Sequence, residues 1–338
     1  MAINQQIHLV SRPTAEAVAE NFRLIEAELP DLGDGQVLVR HHYLSLDPYM
    51  RGRMNDAKSY APPQALNTVM QGGTVGEVVA SRHAGYAVGD RVVGFGGWQQ
   101  FSVVDAGTPG VLRTVDTTQV PLSAYLGAVG MPGVTAWYGL ARICRPVAGK
   151  TVTVSAASGA VGSAVGQLAK ARGCRAVGIA GGADKCRYVV DELGFDACID
   201  YKAHQDPKAL YEALKAATPD GVDAHFENVG GAVLDAVLAR MNPFGRIALC
   251  GMISGYDGAP IPLKQPQLIL TNRLTIEGFI VSEHMEVWPE ALKELGTMVA
   301  SGRLKYRETV AHGLASAPQA FLGLLKGRNF GKQLVKLI

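Results

Sequence analysis

The chain has 338 residues, of which 48% are hydrophobic and 18% are charged, a composition that excludes a disordered chain and predicts about two domains. Lys and Arg number 32 against 30 Asp and Glu, which leaves a formal net charge of +2. That charge is too small for a protein that binds nucleic acid or an acidic membrane through bulk electrostatics.

The cysteines and the first residues indicate a cytoplasmic protein with free thiols. No C-x-x-C pair exists, so a clustered zinc site is not expected. The opening segment MAINQQIHLV has no basic stretch followed by an apolar one, so we expect no secretory leader. The cysteines are Cys144, Cys174, Cys186, Cys198 and Cys250.

Residues 1 to about 113 are predicted to form a compact β-rich unit. Short β-branched runs such as QVLVRHHYLSL, TVGEVVA and DRVVGFG are separated by Gly, Asp and Pro, which is typical of short strands and tight turns. Gly89 and Asp90 are expected to form a turn before a strand. His41 and His42 are neighbours on one predicted strand and point to opposite faces, so we interpret them as structural residues rather than ligands of one metal.

Two uncharged stretches, residues 117–141 and 151–169, are long enough to span a membrane. The first contains two prolines, and both are rich in glycine and other small residues. We therefore interpret both as buried or ligand-facing backbone rather than as membrane helices.

Beyond residue 122, predicted strands and helices alternate. Gly194 is placed to end a helix and Pro207 to begin one. The alternation predicts an α/β fold with a doubly wound parallel six-stranded Rossmann sheet. The predicted strands cover residues 151–156, 175–180, 197–201, 222–227, 246–251 and 274–281, and the predicted helices cover 160–172, 184–193, 207–217, 232–241 and 287–301. A last helix over 318–326 and a last strand over 332–338 are expected to return to the N-terminal unit.

The first strand of this sheet leads directly into a glycine turn, Ala157-Ser158-Gly159-Ala160-Val161-Gly162. This is the G-x-G-x-x-G pattern with alanine in its first position. Gly159 would let the backbone approach a pyrophosphate, and Gly162 would let the next helix pack closely on the strand. Because the turn lies between a predicted strand and helix, it indicates a dinucleotide site rather than an ordinary glycine-rich turn. The predicted cofactor contacts here are Ala157, Gly159, Ala160, Val161 and Gly162.

The end of the second strand indicates which dinucleotide binds. NAD sites place Asp or Glu there, but this strand ends in IAGGA (179–183). Lys185 follows, and Tyr201 and Lys202 come after the third strand, so a cation and a hydroxyl are available for a 2′-phosphate. We predict NADPH as the cofactor, with contacts from Gly181, Lys185 and Tyr201. The alternative for Lys185 is a solvated residue in a first helical turn.

Further motifs lie along nearly the whole chain, and DPYMR, MPGVTA and ENVGG are more specific than a general dinucleotide fold. The segments are LSLDPYMRGRM (44–54), VGDRVVGFGGWQQF (88–101), MPGVTAWYGL (131–140), SAASGAVGSAVGQLAK (155–170), LGFDACIDYK (193–202), FENVGG (226–231), GRIALCGMISGY (245–256), EGFIV (277–281) and NFGKQLVKL (329–337). The chain thereby resembles the zinc-independent medium-chain dehydrogenases/reductases. Within them it is similar to the branch of leukotriene B4 dehydrogenase/prostaglandin reductase, alkenal double-bond reductases and bacterial curcumin-reductase-like enzymes.

The resemblance implies a GroES-like substrate domain over residues 1–126 and 301–338 and a Rossmann NADP-binding domain over 127–300, with the active site in the cleft between them. It also implies that no metal is bound. Where zinc-dependent relatives carry a cysteine and a Gly-His-Glu segment, this chain has SLDPY (45–49) and QGGT (71–74). Neither segment supplies a thiolate or an imidazole.

The activity implied by the resemblance is NADPH-dependent reduction of a C=C bond conjugated to a carbonyl. Hydride goes to the β-carbon, and the charge on the carbonyl oxygen then needs only hydrogen-bond donors, whereas alcohol oxidation needs a Lewis acid. The predicted catalytic donors are Tyr256 and, second, Tyr49, beside the 2′-hydroxyl of the nicotinamide ribose. The alternatives are a surface role for Tyr256 and a packing role for Tyr49.

The resemblance also implies the remaining cofactor contacts. Cys250 is interpreted as a small buried wall residue rather than a nucleophile. The contacts are Met131, Pro132 and Thr135 at the nicotinamide, Asn228 and Gly230 near the adenosine half or the phosphates, Cys250 and Gly251 beneath the cofactor, the backbone of Phe279, Ile280 and Val281 at the carboxamide, and Asn329 from the C-terminal segment.

Two other functions remain open from the sequence. A quinone reductase could use the same scaffold, because quinones are vinylogous enones. An NADPH-binding structural or sensor protein with little turnover is the second, although polar residues are retained around the nicotinamide. The expected partners are a small enone or enal and a second copy of the chain, paired through the edge strand LTIEGFIV (274–281), with no nucleic acid and no membrane.

Overall fold

The computed structural model describes residues 3–108 and 110–338. The chain divides into two compact units, residues 1–126 with 308–338 and residues 127–307. Residues 301–307, which the sequence analysis assigned to the first domain, lie with the second unit. The reason is a reciprocal pair of hydrogen bonds: the Lys305 amide donates to Gln167 Oε1, and Gln167 Nε2 donates to the Lys305 carbonyl, both at 2.8 Å.

Strands dominate the chain up to residue 114, and strands and helices alternate from residue 151 onward. The strands are β1 (Ile3–Leu9), β2 (Phe22–Glu28), β3 (Gln36–Ser45), β4 (Thr68–Val69), β5 (Thr74–Ser81), β6 (Arg91–Gly94), β7 (Phe101–Asp105), β8 (Leu112–Thr114), β9 (Thr151–Ser155), β10 (Arg175–Ala180), β11 (Ala197–Asp200), β12 (Val222–Glu227), β13 (Met241–Leu249), β14 (Thr275–Gly278), β15 (Glu308–His312) and β16 (Lys332–Lys336). The α-helices are α1 (Tyr49–Arg53), α2 (Met131–Tyr138), α3 (Ala160–Ala171), α4 (Ala183–Arg187), α5 (Pro207–Ala217), α6 (Gly231–Leu238), α7 (Gln267–Thr271), α8 (Trp288–Ala300) and α9 (Ala317–Leu325).

The first unit is built from two sheets, which confirms its predicted β-rich character. A three-stranded sheet has the order β2-β1-β4, and a larger sheet runs β15-β16-β3-β5-β6-β8, with β7 also paired to β3. The C-terminal strand returns to this unit because β16 pairs antiparallel with β3, with Val335 opposite Leu44. In the core of this unit Phe22 stacks on Trp98 at 5.4 Å between ring centroids, and Phe321 meets Trp98 edge-on at 5.6 Å.

The second unit contains the predicted parallel six-stranded sheet, in the order β11-β10-β9-β12-β13-β14. The chain winds outward from β9 to β11, then returns to the centre and winds outward from β12 to β14. The carboxyl ends of β9 and β12 therefore meet at the point where the winding reverses, which is where doubly wound sheets bind ligands.

Several predicted boundaries in this unit were wrong. The predicted helix over 232–241 ends at Leu238, and β13 begins at Met241 rather than at 246. Met241 pairs with Val222 at the start of β12, and a register irregularity separates this pair from the rest of the ladder. The sequence pattern did not reveal this pair, because the register of two separate strands sets it. At the sheet edge, β14 pairs with β13 only over Thr275–Gly278 and is shorter than predicted.

Turn and cap residues adopt the predicted conformations. Gly89 has φ +96° directly before β6, and Gly194 has φ +75° after the segment that follows α4. The Asp206 side chain caps α5 by accepting the Ala209 amide at 2.9 Å. The predicted helix over 184–193 consists of two segments of different geometry. The α-helical segment α4 ends at Arg187, and a wider π-helical segment, Tyr188–Glu192, follows it directly.

The two uncharged stretches are accounted for by this fold. The second stretch supplies β9 and α3, and α2 lies within the first. Within residues 3–108 and 110–338, no helix combines the length and the apolar character needed to cross a bilayer.

Candidate functional site

The glycine turn between β9 and α3 is shaped for close approach of a ligand. Ala156 adopts φ +50°, and the amide of Gly159 closes the turn on the Ala156 carbonyl at 2.9 Å. A Cβ atom on Gly162 would lie 2.4 Å from the Ala156 carbonyl oxygen and 3.0 Å from Ala157 Cα. Only glycine therefore lets α3 pack this tightly on the strand end. The first turn of α3, from Ala160, leaves backbone amides without intrahelical partners, which is the arrangement that suits an anion.

A buried polar network ties β9 to β12 beside this turn. The Ser155 hydroxyl donates to Glu227 Oε1 at 2.6 Å, and His225 Nε2 lies 2.9 Å from Glu227 Oε2. Thr153 Oγ1 lies 2.8 Å from the other ring nitrogen of His225, and the Gly230 amide donates to Glu227 at 3.0 Å. Burial opposes ionisation, but His225, Ser155 and a backbone amide together hold the pKa of Glu227 below its ordinary value.

This network was missed by the sequence analysis, which treated Glu227 only as part of a motif. The available signal was a histidine and an acid two residues apart on a strand of a parallel sheet. Residues two apart share one face of a strand, and a strand buried on both faces must pair its polar side chains internally.

Asn228 follows the network and holds the ends of β9 and β12 together. Its backbone amide donates to Ser155 Oγ at 2.7 Å, and its side-chain amide donates to the Ser155 carbonyl at 2.8 Å. The amides of Cys250 and Gly251 donate to the Glu227 carbonyl at 2.9 and 3.1 Å. The structure therefore brings together four of the predicted contacts, Asn228, Gly230, Cys250 and Gly251. Burial, with the nearby Glu227 charge, raises the pKa of Cys250 to about 12, which favours a wall residue over a nucleophile.

Tyr256 lies over the same strand ends. A Cβ atom on Gly251 would lie 3.1 Å from the Tyr256 hydroxyl oxygen and 3.5 Å from the Asn228 carbonyl. The Tyr256 amide donates to the Ile253 carbonyl at 3.2 Å, which closes the short turn after β13. The phenol is thus held against the carboxyl edge of the sheet, beside the predicted floor of the cofactor site.

A second cluster surrounds Gly181, at the end of β10. A Cβ atom on Gly181 would lie 3.0 Å from the Tyr201 hydroxyl and 2.9 Å from Lys202 Cε. Burial and the neighbouring charge of Lys202 lower the pKa of Lys185. Asp200 Oδ1 accepts the Lys202 amide at 3.0 Å and orients the segment. Two cations and a phenol hydroxyl form a donor set that suits a phosphate dianion, and Lys202 joins the predicted Lys185 and Tyr201.

The predicted nicotinamide-side residues lie on α2 and after β14. Pro132 is buried in the first turn of α2, and Thr135 Oγ1 donates to the Met131 carbonyl at 2.8 Å. Phe279 meets Phe226 edge-on at 6.1 Å.

The backbone after β14 is partly engaged within the chain itself. The Ile280 carbonyl accepts the Glu283 amide at 3.0 Å, and the Val281 carbonyl accepts the Trp288 indole at 3.2 Å. These two carbonyls are therefore committed to internal hydrogen bonds in this structure.

In the first unit, Tyr49 is the first residue of α1 and lies two residues after Asp47, which forms a buried ion pair with Lys332. Lys332 Nζ donates to Asp47 Oδ1 at 2.6 Å and to the Leu46 carbonyl at 2.7 Å. Burial, with the nearby Asp47 charge, raises the pKa of Tyr49, so the phenol keeps its proton and can donate. Asn329 uses its side-chain amide to donate to the Gly331 carbonyl at 2.8 Å. The ion pair was not predicted, because Asp47 and Lys332 are distant in the sequence.

The two adjacent histidines have different partners. His41 Nε2 lies 2.9 Å from Ser102 Oγ, and burial lowers the pKa of His41 to about 3. His42 Nε2 lies 3.8 Å from a carboxylate oxygen of Glu77. In the part of the chain that the structure describes, no three His, Cys, Asp or Glu side chains are grouped to hold a metal ion.

Comparison with known proteins matches both halves of the chain. Residues 5–111 match a family model described as the N-terminal domain of oxidoreductase, and residues 160–297 match one described as zinc-binding dehydrogenase. The NADPH-dependent curcumin reductase of Escherichia coli is 45% identical, over 99% of this chain and 97% of the relative. The NADP(+)-dependent 2-alkenal reductase of Nicotiana tabacum is 44% identical, over 92% of this chain and 90% of the relative. The crystal structure of CurA from Vibrio vulnificus in complex with NADPH superposes with a TM-score of 0.92 at 44% identity, covering 99% of each chain.

Proposed function

The chain belongs to the medium-chain dehydrogenase/reductase branch that contains curcumin reductase, 2-alkenal reductase and prostaglandin reductase 1, and on that premise we propose that it is an NADPH-dependent reductase of the C=C bond in α,β-unsaturated ketones and aldehydes. The single observation that carries the mechanism is the Tyr256 hydroxyl, held over Gly251 at the carboxyl edge of the dinucleotide sheet. The match to relatives that reduce conjugated alkenes supplies the reaction class.

The residues of the second unit fit NADPH. The tight turn at Gly159 and Gly162 would receive the pyrophosphate. Glycine at 162 keeps the turn this tight, because any side chain there would collide with the Ala156 carbonyl. Lys185, Tyr201 and Lys202 would hold the 2′-phosphate. When bound, NADPH supplies the hydride for the reaction.

The chain's own chemistry is stabilisation of charge on the substrate oxygen. As the β-carbon of the substrate becomes saturated, negative charge collects on the carbonyl oxygen as an enolate, and a hydrogen bond from Tyr256 would stabilise it. Tyr49 is the second candidate donor, and its raised pKa keeps its hydroxyl protonated. The α-carbon then takes a proton from water or an acid. We also propose that the other cofactor contacts predicted from the sequence, which include Met131 and Asn329, bind NADPH.

Two further parts of the proposal concern assembly and location. β14 stands last in the order of the parallel sheet, so an equivalent strand of a second copy could extend the sheet across a two-fold axis. We include a homodimer and a cytoplasmic location in the proposal, as the sequence predicts. The proposal also assigns substrate binding to the first unit and NADPH binding to the second unit.

The test compares substrates and coenzymes in one series, with a chelator present throughout. We expect oxidation of NADPH with an alkenal and with an aryl enone, and much slower oxidation of NADH. A higher rate on a benzoquinone than on any enone would favour the quinone reductase. NADPH binding, seen by its fluorescence, without turnover on any acceptor would favour the sensor.

A further inference from the structure

Two cysteines from different elements face each other in the second unit. The sulfur atoms of Cys186, on α4, and Cys198, on β11, are 2.8 Å apart. Both residues are partly accessible free thiols, whereas Cys144 and Cys174 are buried. A disulfide has an S–S distance of about 2.05 Å, so a small shift of one side chain would bring the pair to bonding distance.

The fold explains why the two thiols meet. Cys198 is paired with Gly178 in the neighbouring strand β10, and a Cβ atom on Gly178 would lie 3.3 Å from the Cys198 sulfur. The missing side chain therefore leaves room above the sheet for the sulfur. The amide of Gly182, just before α4, donates to Asp200 Oδ1 at 2.8 Å and anchors the start of α4 to the end of β11. This anchor keeps Cys186 above Cys198.

The two thiols are not equivalent. The hydrogen bond from Cys198 lowers the pKa of Cys186, although burial and the nearby Asp200 oppose the shift. The same hydrogen bond, together with burial, raises the pKa of Cys198. Cys186 directly follows the cationic Lys185, so we assign the first attack to its thiolate, and Cys198, 2.8 Å away, is placed to attack it afterwards.

We propose that Cys186 and Cys198 are a peroxide-reactive dithiol that closes to a disulfide and ties α4 to β11. In the first step the Cys186 thiolate attacks one oxygen of hydrogen peroxide, the O–O bond breaks, and hydroxide leaves, so that Cys186 becomes a sulfenic acid. In the second step the Cys198 sulfur attacks the Cys186 sulfur, the S–O bond breaks, and water leaves with the Cys198 proton. Two thiols lose two electrons, and one peroxide is reduced to two molecules of water. A dithiol reductant reverses the reaction by thiol–disulfide exchange.

The pair adjoins the cluster around Gly181. Cys186 directly follows Lys185, and Cys198 is on the short strand that precedes Tyr201 and Lys202. A bound 2′-phosphate would add negative charge beside the thiolate and would cover this edge of the sheet. We therefore expect a 2′-phosphorylated ligand to slow the oxidation; this part rests on the proposed NADPH site, whereas disulfide formation does not.

The first experiment treats the full-length protein with hydrogen peroxide, blocks remaining thiols and maps disulfides by mass spectrometry. We expect a Cys186–Cys198 cross-link that a dithiol removes. In Cys198→Ser, we expect Cys186 to be trapped as a dimedone adduct of its sulfenic acid, and Cys174→Ser, the matched control, should form the cross-link like the wild type. The proposal would be overturned if Cys186 and Cys198 of the wild type stay reduced, or if each is overoxidised without forming the cross-link. The disulfide map of the wild-type protein tests the proposal even if a variant folds poorly.

The second experiment measures the rate of cross-linking with saturating 2′,5′-ADP or 5′-AMP, which differ only in the 2′-phosphate. We expect 2′,5′-ADP to slow cross-linking about fivefold relative to 5′-AMP, the order of effect of one added charge a few ångströms away. Equal rates would overturn the coupling to the 2′-phosphate site. Failure of the proposed reductase activity would leave the first experiment unaffected, so the two proposals fail separately.

Discussion

His225 Nε2 lies 2.9 Å from Glu227 Oε2, and both side chains are 0% exposed. The pair stands on β12, next to the strand that leads into the glycine turn. Ser155, at the end of that strand, donates to the same carboxylate. The carboxylate therefore connects the strand that leads into the glycine turn to the segment that carries Asn228.

We expect Glu227→Gln to lower the free energy of unfolding by about 2–4 kcal/mol, because the change breaks a buried, fully bonded carboxylate network. The pKa of Glu227 is lowered in the folded state, so its stabilisation is present above the ordinary glutamate pKa and is lost as pH falls through the folded value. Denaturant unfolding at neutral and acidic pH measures both effects. The exposed Glu212→Gln is the control, and a penalty that is the same at every pH would contradict a charged Glu227.

Tyr256→Phe should lower kcat for enone reduction by about a hundredfold, since it removes a hydrogen bond to the oxygen where charge develops. The KM for NADPH should change little. Steady-state kinetics on one alkenal measure both values, with Tyr211→Phe on α5 as the control. Crossing the change with Tyr49→Phe tests whether the second phenol contributes, and undiminished turnover in both single variants and the double variant would exclude the proposed stabilisation.

Removing both ammonium groups in Lys185→Ala/Lys202→Ala should raise the KM for NADPH by roughly ten- to a hundredfold, because two charge-assisted contacts to the 2′-phosphate are lost. The KM for NADH should stay nearly constant, since NADH lacks that group. Kinetics with the two coenzymes, on the same acceptor, give the comparison. Lys208→Ala, an exposed lysine on α5, is the control, and an equal loss with NADH would place the two lysines away from the 2′-phosphate.

Gly162→Ala should destabilise the second unit and weaken NADPH binding, because the new Cβ would lie 2.4 Å from the Ala156 carbonyl oxygen. The matched control is Gly296→Ala in α8, where the nearest atom is Val129 Cγ1 at 3.7 Å. There the change should stabilise the protein by up to about 1 kcal/mol through helix propensity. Thermal unfolding with and without NADPH measures both variants, and equal behaviour of the two would show that the turn tolerates a side chain.

The strongest sequence signals were local and were interpreted correctly. The alternation of apolar strands with helices predicted the parallel sheet, and the turn glycines lie where a positive φ or a close approach requires them, as at Gly194 and Gly162. These features depend on residues within one turn or one strand–turn–helix unit. The motifs were specific enough to indicate the family, which the comparisons confirm.

Contacts between residues distant in sequence were decided only by the tertiary structure. The ion pair of Asp47 with Lys332 and the start of β13 at Met241 depend on which strands become neighbours. The approach of Cys186 to Cys198, at 2.8 Å, depends on the hydrogen bond that anchors the start of α4 to the end of β11. Periodicity shows which face of a strand or helix is buried, but it does not show what lies opposite, because that is set by the order and register of strands that are far apart in the chain.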